Sequence, residues 1–122
     1  NQVGVIDFQD AVMGSSIYDL VSLVEDVRRP ITVQLKEKLI DKYIGITKYD
    51  PKKLLKEMQI FSIQRNLKII GIFSRLKYRD NKPQYMELIK NAWNFINLHL
   101  DDSSFIGLKS WLSAYKKKFL WP

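Results

Sequence analysis

Residues 51–78, PKKLLKEMQIFSIQRNLKIIGIFSRLKY, constrain the fold more than any other part of the chain. Asp50-Pro51 is a sharp helix start. An N-cap residue is followed by proline at the first helical position, where the missing N–H costs nothing. From Ile60 to Leu76 apolar side chains fall on more than one face: Ile60, Ile63, Leu67 and Ile70 on one, Phe61, Ile69, Ile72, Phe73 and Leu76 on another. A helix apolar nearly all round is a buried central helix. The spacing therefore predicts one long helix from Pro51 to about Tyr78, with the other elements packed around it. Gln64 and Arg65 interrupt the run. Arg65 stands four residues from both Phe61 and Ile69, within the apolar stripe. A guanidinium there either finds a carboxylate, with Asp19 and Asp26 as the candidates, or snorkels to water over its apolar stem.

The remaining elements read as helices around that one. Ile17, Leu20, Val21, Val24 and Val27 mark an apolar face and predict a helix over 17–29, with Arg28 and Arg29 complementing the end of its dipole. Ser16 and Asp19 form a weak capping box at its start. Val33, Leu35, Leu39, Ile40, Tyr43 and Ile44 predict a second helix over 31–45, with Gly45 just past its end. Arg79 to Lys82 is a loop, and Pro83 opens a fourth helix with Tyr85, Leu88, Ile89, Ala92, Trp93 and Ile96 inward. Asp101-Asp102-Ser103-Ser104 caps a fifth, whose inner face is Phe105, Leu108, Trp111, Leu112 and Tyr115, with Lys116 to Lys118 in its last turn. His99, the one histidine, reads as a cap or surface group with no assigned role. The apolar tail Phe119 to Pro122 is expected to dock on the same domain.

The chemistry is concentrated near the start. Val3-Gly4-Val5-Ile6 reads as a short buried strand, and it ends on Asp7. A carboxylate where a buried strand gives way to a polar turn can present a hard oxygen ligand. Mg²⁺ takes one or two such ligands from protein and the rest from phosphates and water. Structural ion pairs use the same residue type, so the residues alone leave both readings open. The fold class expected is thus mainly α: about five helices with a short N-terminal β-strand, in one helical domain over 1–122.

The string IDFQDAVMGSSIYDLVSLVEDVR, residues 6–28, resembles the segment after the catalytic loop in the aminoglycoside phosphotransferase and choline kinase superfamily. A second block supports this. Gln64-Arg65-Asn66-Leu67-Lys68-Ile69-Ile70-Gly71-Ile72-Phe73-Ser74-Arg75-Leu76, then Arg79-Asp80-Asn81-Lys82, is similar to a block in the anomeric amino-sugar kinases of cell-wall recycling, which act on N-acetylmuramate and N-acetylglucosamine. The resemblance spans roughly residues 3–29 and 60–96. Two departures stand out: Gly14-Ser15 replaces a Gly-Pro or Asp-Pro, and Asn66 stands where the sugar kinases often carry His.

The resemblance implies the helical C-terminal lobe of a kinase-like fold, acting on a small-molecule sugar acceptor with ATP and Mg²⁺. By its position Asp7 would ligate the metal. Asp19 would support the active-site loops, and Gln64 and Arg65 would line the sugar side. The nucleotide-clamping loop, the phosphate lysine and the catalytic-loop Asp and Asn lie upstream in the family. No catalytic residue is therefore expected in this chain, and the isolated chain is expected to be inactive. Asn1 is not a Met, and the strand at Val3 has no partner in the chain, so the missing N-terminal part of the enzyme is the expected partner.

Composition narrows the alternatives. Net charge is +7 with 20 Lys and Arg. This disfavours a polycationic aminoglycoside as acceptor and favours an acidic sugar. Nucleic-acid binding has net charge alone behind it, without aromatic–basic interleaving or a known module. No apolar run is long enough for a membrane span. The absence of Cys excludes disulfides and thiolate metal sites and suits the cytoplasm. The rival of another class is a self-standing helical interaction module using the aromatic tail and Lys116 to Lys118.

Overall fold

The computed structural model describes Gly4 and residues 13–116. The expected strand at Val3, the carboxylates of Asp7 and Asp10, and the tail from Phe119 lie outside the described residues. Among those described, five α-helices follow in order: α1 (Ile17–Val24), α2 (Val33–Thr47), α3 (Pro51–Tyr78), α4 (Ile89–His99) and α5 (Ile106–Lys116). Two 3₁₀ segments, Pro83–Leu88 and Ser103–Phe105, lead into α4 and α5. The fold is mainly α, as the periodicity predicts.

α3 runs the full predicted length. Asp50 caps it by accepting the Lys53 N–H at 2.7 Å, and Pro51 occupies the first turn. Its burial is narrower than its composition implies. The covered stripe is Leu54, Met58, Ser62, Ile63, Asn66, Ile70 and Phe73. Phe61, Leu67, Ile69, Ile72 and Leu76 are half-buried flanks, while Leu55 and Ile60 are exposed. α1 and α4 cover successive stretches of α3 and neither encircles it.

Two apolar clusters result. One joins Ile17, Leu20, Val21 and Val24 of α1 to Leu54 and Met58, with α2 residues Leu39, Ile40, Tyr43 and Ile44 laid against it. The other joins Ile63, Ile70 and Phe73 to Ile89, Ala92 and Ile96 of α4, with Val27 and Leu100. Between them α3 presents Ser62 and Asn66, both fully buried.

Several local expectations are corrected. α1 stops at Val24, not Arg29, because Glu25 leaves helical geometry at φ −128° and ψ 41°. Arg28 consequently has no helix end to complement, and it pairs with Asp26 at 3.1 Å. Ser16 makes no cap bond. Its hydroxyl meets the Tyr43 hydroxyl, while Ser15 Oγ accepts the Ile17 N–H at 3.3 Å and donates to Glu57 at 2.9 Å. α2 begins after Thr32, whose hydroxyl accepts the Leu35 N–H, and it runs through Gly45 to Thr47. The left-handed residue at its end is Lys48, at φ 56°. α2 buries no residue fully, and Val33 and Leu35 of its expected apolar face are exposed.

On α5, Phe105, Leu108 and Leu112 pack on the core. Trp111 and Tyr115 do not: both are exposed, their rings 4.7 Å apart. The start of α5 is tied to α3 by Lys56, which donates to Asp102 at 3.1 Å and to Ser104 at 2.6 Å. Hydrogen bonds from Ser104, then the Lys56 ammonium, hold the Asp102 carboxyl at about 2.

Lys48 carries a testable cost. A side chain in the left-handed region crowds the following carbonyl, and glycine there does not. Lys48→Gly is expected to stabilise the protein by about 0.5–1 kcal/mol, read as a higher midpoint in urea. An unchanged or lower midpoint would show that the left-handed turn is unstrained.

Candidate functional site

The turn after α1, residues 25–29, is the most heavily tethered segment among the described residues. Glu25 is its centre and is 1% exposed. Lys36 of α2 donates to Glu25 Oε1 at 2.8 Å. Ser62 of α3 donates to Oε2 in a short bond. His99 at the end of α4 brings Nε2 to 3.6 Å from Oε1, just beyond hydrogen-bond distance. Burial alone would push this carboxyl up. The side chains of His99, Lys36 and Ser62, together with the Lys36 charge, outweigh it and hold the group below the ordinary glutamate value. A buried charge is tolerable only when compensated in this way.

The backbone of the turn is held as firmly. Arg65 Nη1 donates to the Glu25 carbonyl at 3.1 Å, and Asn91 of α4 donates to the Val27 carbonyl at 2.9 Å. The Val27 side chain is 2% exposed. Asp26 turns outward, and both its carboxylate oxygens are taken by Arg28, at 3.1 and 3.3 Å, with the Arg28 N–H at 2.9 Å. Burial would raise the Asp26 carboxyl, but Arg28 and, more weakly, Arg65 bring it below its usual value.

The structure thus sorts the residues singled out in the sequence. Arg65 is half-buried and fixed, yet its partner is neither Asp19 nor the Asp26 carboxylate, since the Glu25 carbonyl takes that place. Gln64, next to it, is exposed, as is Asp19 on the first turn of α1. His99, expected as a cap or surface group with no role, is largely covered and faces the Glu25 carboxylate. Asp7 lies outside the described residues. Among the described residues no three His, Asp or Glu side chains gather where they could hold a metal, and no helix is long and apolar enough to cross a membrane.

A separate cleft of about 290 Å³ lies between α4 and α5, lined by Trp93, Asn97, Leu100 and Leu112. Asp101 and Lys109 at its rim pair with each other at 2.6 Å.

Glu25, Lys36, Ser62 and His99 were not singled out by the periodicity. A signal was nonetheless present. Glu25 follows Val21 by four residues on the apolar face of α1. Ser62 and Asn66 continue the every-fourth row Leu54, Met58, Ile70 on α3. A carboxylate and two neutral polar groups at otherwise apolar positions of neighbouring helices mark a buried polar contact.

The model of the family described as "Phosphotransferase enzyme family" matches residues 1–55. The chain is 31% identical over 115 residues to the N-acetylmuramate/N-acetylglucosamine kinase of Caulobacter vibrioides, covering 93% of this chain and 32% of that protein. It is 34% identical over 100 residues to the protein of the same name from Neisseria meningitidis serogroup B, covering 76% and 30%. To that from Pseudomonas putida it is 33% identical over 101 residues, covering 77% and 30%. The chain spans about a third of the length of these curated relatives.

Proposed function

Because the chain belongs to the phosphotransferase enzyme family, we propose that it forms the C-terminal, acceptor-side portion of an ATP-dependent amino-sugar kinase. The observation that carries this reading is the match over 93% of the chain to a relative named for N-acetylmuramate and N-acetylglucosamine. In this reading Asp7 ligates the Mg²⁺ that neutralises charge on the nucleotide phosphates. Asp19 supports the loops around it, and Gln64 and Arg65 line the acceptor side. Phosphoryl transfer asks a protein mainly for positioning and charge neutralisation, because the transferred group is loosely bonded at the transition state. The +7 charge of the chain suits both a nucleotide and an acidic sugar.

The sequence contains neither a G-x-G-x-x-G nor a G-x-x-x-x-G-K phosphate loop, and no H-x-D-x-x-x-x-N. The nucleotide clamp and catalytic base are accordingly assigned to sequence outside these 122 residues, with which the helices described here would pack in the cytoplasm.

The test is an enzyme containing these residues together with the upstream kinase sequence, assayed with Mg-ATP. The acceptors are N-acetylmuramate, N-acetylglucosamine and a set of aminoglycosides. Phosphate is expected on the anomeric hydroxyl of the amino sugars, while the 122-residue chain alone hydrolyses ATP no faster than buffer. Transfer to aminoglycosides only, or a robust Mg²⁺-dependent rate from the 122 residues alone, would refute the reading.

A further inference from the structure

The Glu25 junction holds one group that the fold leaves incompletely partnered. His99 closes α4, and its side chain is largely covered. Among the described residues its buried Nε2 has no hydrogen-bond partner, and it stops 3.6 Å from Glu25 Oε1. We propose that His99 is a proton-operated latch: charged, it clamps the end of α4 onto the Glu25 turn, and neutral, it lets the α1–α2 half open more readily. The inference goes beyond the kinase reading and does not rest on it.

Distance is the first argument. A buried polar atom without a partner is costly, and native folds rarely keep one without a use. A shift of roughly 0.6 Å would bring Nε2 to ordinary N–H···O distance. The last residue of a helix can make such a shift, because helix ends fray. A neutral imidazole donates from one of its two nitrogens, whereas the charged ring donates from both. Protonation therefore guarantees an N–H on the side that faces the carboxylate.

Charge is the second. The groups that bear on the ring come from every neighbouring element. The turn after α1 supplies the Glu25 carboxylate, and α2 supplies Lys36, whose ammonium holds the same Oε1 at 2.8 Å. From α3, Ser62 holds Oε2 and Arg65 holds the Glu25 carbonyl. Just past His99, Asp101 is paired with Lys109 and Asp102 with Lys56. Glu25 lies below the ordinary glutamate value, so it stays ionised where a histidine changes charge. It attracts a charged imidazole, and Lys36 opposes it. The two differ in freedom. Lys36 is partly exposed and can lean to water, while Glu25 is buried and tied to Ser62. A charged ring therefore gains the carboxylate and the ammonium yields.

Placement is the third. α4 belongs to one apolar cluster, and α1 and α2 belong to the other. A contact from His99 to Glu25 joins the two. Residues 1–122 contain one His and no Cys, so no other side chain among them has an ordinary value at which its charge changes between about pH 5 and 8. A partner gained by the charged form of a histidine adds protection that is present below the unfolded value, about 6.5, and is lost as pH rises above it.

The experiment uses the full-length enzyme and amide hydrogen exchange, read in α1 and α2 and referred to α3 and α4 of the same molecule. Wild type and His99→Gln are compared at the same pH, so intrinsic exchange rates cancel. At about pH 5.5, α1 and α2 should exchange about fivefold more slowly in wild type, the weight of one partly exposed charge contact. At about pH 8 the two proteins should agree within about twofold. In a Glu25→Gln background the effect of His99→Gln should vanish at both values. Lys36→Met leaves His99 as the cation on Oε1 and should steepen the loss of protection with rising pH, which decides the matter if His99→Gln fails to fold.

A wild-type to His99→Gln ratio that is equal at both pH values, or larger at the higher one, overturns the latch. So does a change that spreads equally to α3 and α4, or a Lys36→Met protein whose α1–α2 protection is independent of pH.

Discussion

Glu25→Ala is expected to destabilise the protein by about 3 kcal/mol. The carboxylate is 1% exposed and joins three other helices through Lys36, Ser62 and His99. Its removal leaves the Ser62 hydroxyl and the Lys36 ammonium facing a cavity. Breaking a buried pair costs roughly 3–5 kcal/mol because the surviving partner is stranded. The low end applies here, since Lys36 is 26% exposed and can turn toward water. Glu25→Gln keeps the volume and an acceptor for Ser62, and should cost about half as much.

The double variant Glu25→Leu with Lys36→Met should recover most of the loss, because apolar groups of similar size often match a buried ion pair. Urea unfolding of the four proteins measures each term. A Glu25→Ala midpoint within error of wild type would show that the junction contributes nothing to stability.

The pH dependence has a defined sign. The Glu25 carboxyl is held below its ordinary value in the folded protein. A carboxyl lowered on folding contributes stability that is fully present above the unfolded glutamate value, about 4.3. That contribution is lost as pH falls below it and through the folded value. Acid unfolding should thus steepen below about pH 4 in wild type and flatten in Glu25→Gln.

The second large effect belongs to the proposed metal ligand. Asp7→Asn in the full-length enzyme is expected to lower kcat about 10³-fold. Asparagine keeps the shape and one carbonyl oxygen but removes the negative charge. Mg²⁺ is a hard cation that dehydrates reluctantly and takes few protein ligands, so one lost carboxylate is a large share of its protein coordination. The Mg²⁺ concentration needed for half-maximal rate should rise as well, and the urea midpoint should stay put. A variant with wild-type turnover and wild-type Mg²⁺ requirement removes Asp7 from the metal site.

The α3 helix could be read almost to the residue, because its start signal is local: Asp50 and Pro51 act on the first turn alone. The end of α1 could not. The apolar period continues through Val27, and Val27 is indeed buried, but it reaches the core from a turn. What bends the chain is the attachment of Glu25 to residues 11, 37 and 74 positions away, and no local window contains those partners. The same distance hid His99, a solitary histidine whose side chain faces a carboxylate from the other end of the chain. Arg65 was readable as a half-covered cation in need of an acceptor. That the acceptor is a backbone carbonyl was not, because every residue carries one.

One helix serves both apolar clusters, and a row of hydroxyl and amide groups separates them along its length. The two halves need not loosen together. Oily contact alone would weld them into one cooperative block, whereas here each can open at its own free energy. The α1–α2 half, with no α2 side chain fully covered, is the part free to breathe while the α3–α4 pairing stays shut. The Glu25 junction sits on the boundary between them and sets how far that breathing spreads.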